Sequence, residues 1–232
     1  MKKFWRNMLP GLWLMTALPI SALILVPIGE IFDMSSNLED PILAIGFVIG
    51  HTTAGYLWAR ALLRQAGLPA SKMAYVAAGI GFAISVIGVE VSGDFFTKLS
   101  DLQAVAGTVH LEFGLIFVTW TGIVTAVTGL ALGLGLKAWR LAFKLFASGF
   151  LTGASVFLIV ALLMDGVGFR VGVVRADGIP SMPVVTLLGI WLAALIGTSI
   201  YALILTSSDL SENDDSMTIP EFPDAMPLEN NS

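Results

Sequence analysis

The chain has 232 residues, 56% of them hydrophobic and only 12% charged, with a mean hydropathy of +0.86. Soluble domains carry roughly 25% charged residues, so a water-soluble fold of this size would have more apolar surface than it could enclose, and the composition indicates a polytopic membrane protein. No cysteine is present, which excludes disulfides, thiolate nucleophiles and Cys-ligated iron–sulfur or zinc sites. The net charge of −5 belongs to the C-terminus: residues 207–232 hold seven acids and no Lys or Arg, and the remainder carries 12 basic and 10 acidic residues, a net of +2.

Lys2, Lys3 and Arg6 precede an apolar run over about 8–32. The run is too long for the 7–15-residue core of a secretory signal, and no small-x-small cleavage pattern ends it, so it reads as an uncleaved first span. Pro19 and Pro27 lie inside it, and each lacks a backbone donor, which predicts a kink. Five more apolar segments follow at about 42–63, 73–93, 105–136, 143–164 and 184–206. Each is near or above the ~20 residues needed to cross hydrocarbon. The expected fold is therefore all-α, with a six-helix transmembrane domain over 1–206. The segment 207–232 contains Pro220, Pro223 and Pro227, shows no amphipathic period, and reads as a disordered acidic tail.

Loop charge sets the orientation. The N-terminus, the second loop (Arg60, Arg64, Lys72) and the fourth (Lys137, Arg140, Lys144) carry nine basic residues, against Lys98, Arg170 and Arg175 on the other side. The positive-inside rule puts both termini in the cytoplasm, and the basic inner loops fit the plasma membrane of a prokaryote. Trp58 beside Arg60, and Trp139 beside Arg140, read as interfacial anchors paired with snorkelling cations. Gly46/Gly50/Ala54, Gly129/Gly133 and Gly149/Gly153 repeat at four-residue spacing, which permits close helix approach. The Gly46/Gly50 and Gly149/Gly153 faces are also candidates for docking a membrane-protein partner or a second copy. The longest outer connection, 165–183, alternates Val167, Phe169 and Val171 with Gly168 and Arg170, which suits a short hairpin or a lid.

The ionisable residues of the spans converge on the outer side: Glu30 on span one, Glu90 on span three, and His110 and Glu112 on span four. An intramembrane carboxylate costs several kcal/mol to bury, so these groups form a candidate polar site, with Arg170 and Arg175 positioned to fold over it. On a helix, His110, Gly114, Val118, Thr121, Thr125 and Thr128 share one stripe, while Glu112, Ile116, Thr119 and Ile123 share nearly the opposite one. That arrangement predicts a span surrounded by protein. His51 sits alone near the middle of span two, next to the Gly46/Gly50/Ala54 face, and is expected to hydrogen-bond a neighbouring helix.

Catalytic motifs are lacking. The sequence contains no GxSxG, HExxH, Walker A or Rossmann pattern, so no catalytic residues, metal ligands or nucleic-acid contacts are expected, and the reading leans away from an enzyme. Three functional readings remain. The leading one is a transporter or ion- or proton-conducting protein, with Glu112, His110, Glu90 and Glu30 at an outer vestibule and His51 deeper. The second is a non-catalytic subunit of a larger membrane complex. The third is a haem b electron carrier ligated by His51 and His110, against which stands a depth mismatch near ~8 Å at 1.5 Å per residue. No cofactor is expected under the first two.

Overall fold

The structure, a computed structural model, describes residues 2–32, 36–103, 109–171 and 182–207; within them it describes the side chains of 5–24, 44–88, 118–160, 162–163 and 188–207. All secondary structure among the described residues is helical: α1 (Lys2–Met8), a 3-10 turn (Leu9–Gly11), α2 (Leu12–Met15), α3 (Ala17–Phe32), α4 (Ser36–Ala66), α5 (Lys72–Gln103), α6 (Val109–Gly135), α7 (Trp139–Val171) and α8 (Met182–Ser207). Four stretches are long and apolar enough to cross a membrane: Trp5–Ile24, Val118–Gly135, Trp139–Val160 and Leu188–Ser207. Lys72–Gly88 is apolar but shorter. The tail from 208 onward lies outside the described residues.

Proline placement explains the broken first rod. Pro19 has no N–H to give the Met15 carbonyl and its ring clashes with it, so the helix stops at Met15 and restarts at Ala17. Thr16 bridges the break, its hydroxyl donating to Trp13 O at 2.6 Å while its carbonyl accepts from Ile20 N at 2.9 Å. The kink expected at Pro19 is thus present, whereas helix α3 runs without interruption through Pro27. A second break, at Pro10 in the 3-10 turn, had no counterpart in the expectation.

The two short turns are built alike. At the end of α4, Gly67 adopts φ +75°, Gly67 N donates to Arg64 O and Leu68 N to Leu63 O. At the end of α6, Lys137 adopts φ 58°, donating to Leu134 O, while Ala138 N donates to Gly133 O. Both are Schellman caps, which satisfy the last helical carbonyls and reverse the chain. Ser71 then caps α5, its Oγ accepting from Ala74 N at 3.2 Å.

Consecutive rods pack side by side, α3 on α4, α4 on α5, α5 on α6, α6 on α7 and α7 on α8; α8 closes the ring against α1, the 3-10 turn and α2. Helix α8 also reaches α4 and α6 across the ring. Small buried residues permit this, namely Ala193, Ala194, Thr198, Ser199 and Ala202. Gly11 rests on it so closely that a methyl there would lie 2.9 Å from Ala194 O and 3.0 Å from Thr198 Oγ1. Helix α8 thus touches elements all round the ring, while the His110/Glu112 helix α6 has the most extensive packing, chiefly against α5 and α7. Among its described side chains, helix α6 buries Thr121, Ala126, Thr128 and Leu132 and leaves Ile123 40% exposed; it packs against α5, α7 and α8.

A dense core fills the end of the bundle that bears the short turns. Trp58, Leu62, Leu63, Ala74, Tyr75, Ala78, Leu132, Leu141, Leu145, Tyr201 and Leu205 pack there, each 4% exposed or less. The N-terminus is held at the same end by Gln65 Nε2, which donates to Arg6 O at 2.9 Å and Asn7 Oδ1 at 2.8 Å. Nine of the twelve basic residues belong to this end by chain position, and every Asp and Glu on the described helices falls toward the other.

Four expectations change on the structure. Helices α4, α5 and α7 run past their expected ends, α5 by ten residues to Gln103, so Glu90, Asp94 and Lys98 sit on one continuous helix. Residues 165–171 close α7 as helix, which replaces the expected hairpin there; 172–181, including Arg175, lie outside the described residues. Trp58 is 1% exposed and donates to Thr198 Oγ1 at 2.8 Å, so it is a core residue and not a headgroup anchor, whereas Trp139 at 59% exposed keeps the interfacial character. The glycine faces read as docking candidates are filled from within the chain. Gly50 lies against Ser21 and Ala17 of α3, and Gly149 and Gly153 lie against Thr125 and Thr121 of α6.

Candidate functional site

Between the rods lies a cavity of about 320 Å³. Its walls come from α2 and α3 (Leu14, Met15, Ala17, Leu18), α4 (Phe47, His51, Trp58), α5 (Phe82, Val86), α6 (Trp120 to Thr128) and α8 (Ile190 to Tyr201). Helix α7 contributes no wall residue and braces α6 and α8 from outside. The volume is at the lower end of small-molecule sites, roughly 300–1,000 Å³.

The floor is a set of hydrogen bonds that tie four helices. Tyr201 Oη on α8 donates to Thr125 O on α6 at 2.5 Å. Thr125 Oγ1 has Thr121 O at 2.8 Å and Gly149 O of α7 at 2.7 Å within reach of its one proton. Trp58 of α4 donates to Thr198 Oγ1, and Thr198 in turn donates to Ala194 O at 2.6 Å. Thr128 Oγ1 donates to Val124 O at 2.7 Å. In a low-dielectric interior these bonds satisfy groups that would otherwise be costly to bury. The dense core lies directly beneath and seals this end.

His51 stands in the wall two turns above Trp58 and is 4% exposed. Its Nδ1 lies 2.8 Å from Phe47 O on its own helix, so the expected bond to a neighbouring helix is replaced by one to residue i−4. A carbonyl only accepts, so Nδ1 carries a proton there and Nε2 is the nitrogen left for other chemistry. No buried side-chain nitrogen or oxygen among the described residues lacks a hydrogen-bond partner. The Nε2 atom, with no protein partner, is therefore not sealed in; it opens on the cavity that His51 lines. The ring is sandwiched by Phe47, with centroids 3.9 Å apart, and Phe82, at 5.5 Å, which fixes its plane.

Of the expected site residues, only His51 has a described side chain. Glu30, Glu90, His110, Glu112 and Arg170 lie on described helices, but their side chains, like all of Arg175, lie outside the described residues. Their helical positions still order them. Glu90 follows Phe82 and Val86 at four-residue spacing, and His110 continues the Thr121/Thr125/Thr128 stripe upward. Glu112 shares its register with Thr119 and Ile123, both exposed. His110 is ten residues outward of Trp120 along α6, about 15 Å at 1.5 Å per residue. Glu30 is twelve residues beyond Leu18 on α3.

Sequence reasoning missed Trp58, Thr198, Tyr201 and Phe82 as parts of the site. A signal existed for α8: Ala194, Gly197, Thr198 and Tyr201 form a small-and-polar stripe at helical spacing in an otherwise apolar span. No group of three or more metal-ligating side chains occurs among the described residues. No protein family, curated protein or solved structure matches the chain.

Proposed function

We propose that the chain is a six-span plasma-membrane protein with both termini in the cytoplasm and an acidic cytoplasmic tail, and that it moves a solute or ion from the outer face to the cavity at His51. The observation that carries this reading is the asymmetry of the cavity. It is closed by packed side chains on the basic, short-turn end, which the positive-inside rule assigns to the cytoplasm. Toward the other end, the register of its walls leads to Glu90 on α5 and His110 on α6. Intramembrane ionisable residues of this kind mark solute and proton pathways. The register favours Glu90 and His110 over Glu112 as the pair above the cavity, with Glu30 and the Arg170/Arg175 loop further out.

Proton movement into dye-loaded liposomes containing the purified chain, driven by an imposed pH gradient, tests the reading. Flux above protein-free liposomes is expected, falling at least tenfold in Glu90→Gln and less in Glu112→Gln. Flux that is absent, or unchanged in Glu90→Gln, His110→Gln and Glu112→Gln alike, refutes it.

A second reading, a non-catalytic subunit docking through lipid-facing helices, draws on the exposed apolar face of α7 (Leu151, Leu158, Ile159, Leu162, Leu163). Copurification of other chains on gentle extraction would favour it. Shared haem ligation by His51 and His110 is disfavoured by their depth mismatch of ~8 Å at 1.5 Å per residue, since both nitrogens must reach one iron.

A further inference from the structure

We infer that the cavity binds a small, largely apolar ring compound carrying one hydrogen-bond donor, which it gives to His51 Nε2. Size is the first ground. A cavity of 150 Å³ holds one benzene, so about 320 Å³ accommodates a molecule of two fused rings.

Hydrogen-bond polarity is the second. The donors of the floor are engaged within the protein: Trp58 on Thr198, Thr198 on Ala194 O, Thr128 on Val124 O, Tyr201 on Thr125 O, and Thr125 on neighbouring carbonyls. What this part of the site offers inward is acceptor capacity, and His51 Nε2, which opens on the cavity, has no protein partner among the described residues. A ligand that is itself only an acceptor finds no partner on this floor or at His51, and a bare inorganic ion meets a mostly apolar wall that does not replace its hydration. A hydroxyl or amine on a ring satisfies the nitrogen and buries its remainder against Phe47, Phe82 and Val86.

A third observation shows that the space is open. Gly197 is buried on α8 in the cavity wall, yet a methyl group there would meet no atom within 4 Å. At the buried Gly50, Gly55, Gly129 and Gly189, by contrast, a methyl would meet neighbours at 2.9 Å or less.

This assignment deepens the transport reading and rests on it only for identifying the ligand as the transported solute. Binding is measured without flux, so either can fail alone. The test uses the full chain in nanodiscs and follows energy transfer from its tryptophans to added 1-naphthol, with 1-methoxynaphthalene as the match that lacks the donor; empty nanodiscs give the partitioning background. Saturable binding is expected, about tenfold tighter for 1-naphthol, as one hydrogen bond of roughly 1.4 kcal/mol gives. His51→Phe keeps the ring and should bring the two affinities together. Gly197→Leu fills the cavity and should abolish saturable binding of both. Equal affinities in the unaltered chain overturn the proposal, as does signal that only scales with partitioning; neither readout depends on a variant folding. Naphthol binding that survives a folded Gly197→Leu places the ligand elsewhere and overturns it too.

Discussion

Gly149→Ala and Gly197→Ala make the same chemical change in helices of the same bundle, and the structure predicts opposite outcomes. In a helix interior Ala is better than Gly by about 0.8–1.0 kcal/mol, and that term is common to both. At Gly197 the new methyl meets nothing within 4 Å, so stability should stay level or rise by up to ~1 kcal/mol. At Gly149 the methyl runs into the Tyr201 hydroxyl and comes to 2.9 Å from Thr125 O and 3.0 Å from Thr125 C. The tyrosine can turn aside, but Thr125 is backbone, so α7 must move off α6. Overpacking of this kind costs roughly 1–3 kcal/mol, and the strained Thr125–Gly149 and Tyr201–Thr125 bonds add about 0.6 kcal/mol each. The clash outweighs propensity, leaving Gly149→Ala less stable by about 1–3 kcal/mol. Unfolding of the reconstituted chain titrated with sodium dodecyl sulfate, followed by circular dichroism, measures both. Tyr201→Phe removes the nearest contact, so Gly149→Ala should cost at least ~0.5 kcal/mol less in that background. A Gly149→Ala chain as stable as its parent, or equal effects at the two glycines, would refute the α6–α7–α8 packing described above.

Two further predictions concern the floor and the orientation. Thr198→Val keeps the shape but removes the acceptor of Trp58 and should cost about 0.6–1.7 kcal/mol in the same titration; no loss would show that the bond is absent in the membrane. Because the chain has no native cysteine, Lys137→Cys carries the sole thiol, and a membrane-impermeant maleimide should modify it in inverted vesicles and not in intact cells. The reverse pattern would invert the assigned topology.

Much of the fold was legible because its causes are local. Apolar length marked the helices, and Pro19 marked the break at Thr16. Helix ends toward the acidic side were misjudged, since α5 and α7 continue through charged residues that hydropathy reads as loop. The site was legible only at His51. Whether a residue such as Trp58 faces a headgroup or a core depends on which helix lies beside it, and here α8 presents Thr198. Likewise, the Gly149/Gly153 pattern announces a close contact without saying that α6 of the same chain makes it. Spacing also separated the two stripes of α6, but not which of them is buried: Thr121 and Thr128 are buried while Thr119 and Ile123 are exposed.

A cavity reached from the outer face and sealed toward the cytoplasm exposes its wall, and not the core beneath it, to reagents outside the cell. Single-cysteine variants Val86→Cys in the cavity wall and Leu62→Cys in the core beneath, treated in intact cells with a small cationic methanethiosulfonate that does not cross membranes, test it most directly. Modification of Val86→Cys, slowed by 1-naphthol, is expected, and none of Leu62→Cys. Protection of Val86→Cys from the outside, with reaction only from the cytoplasmic side, would contradict it.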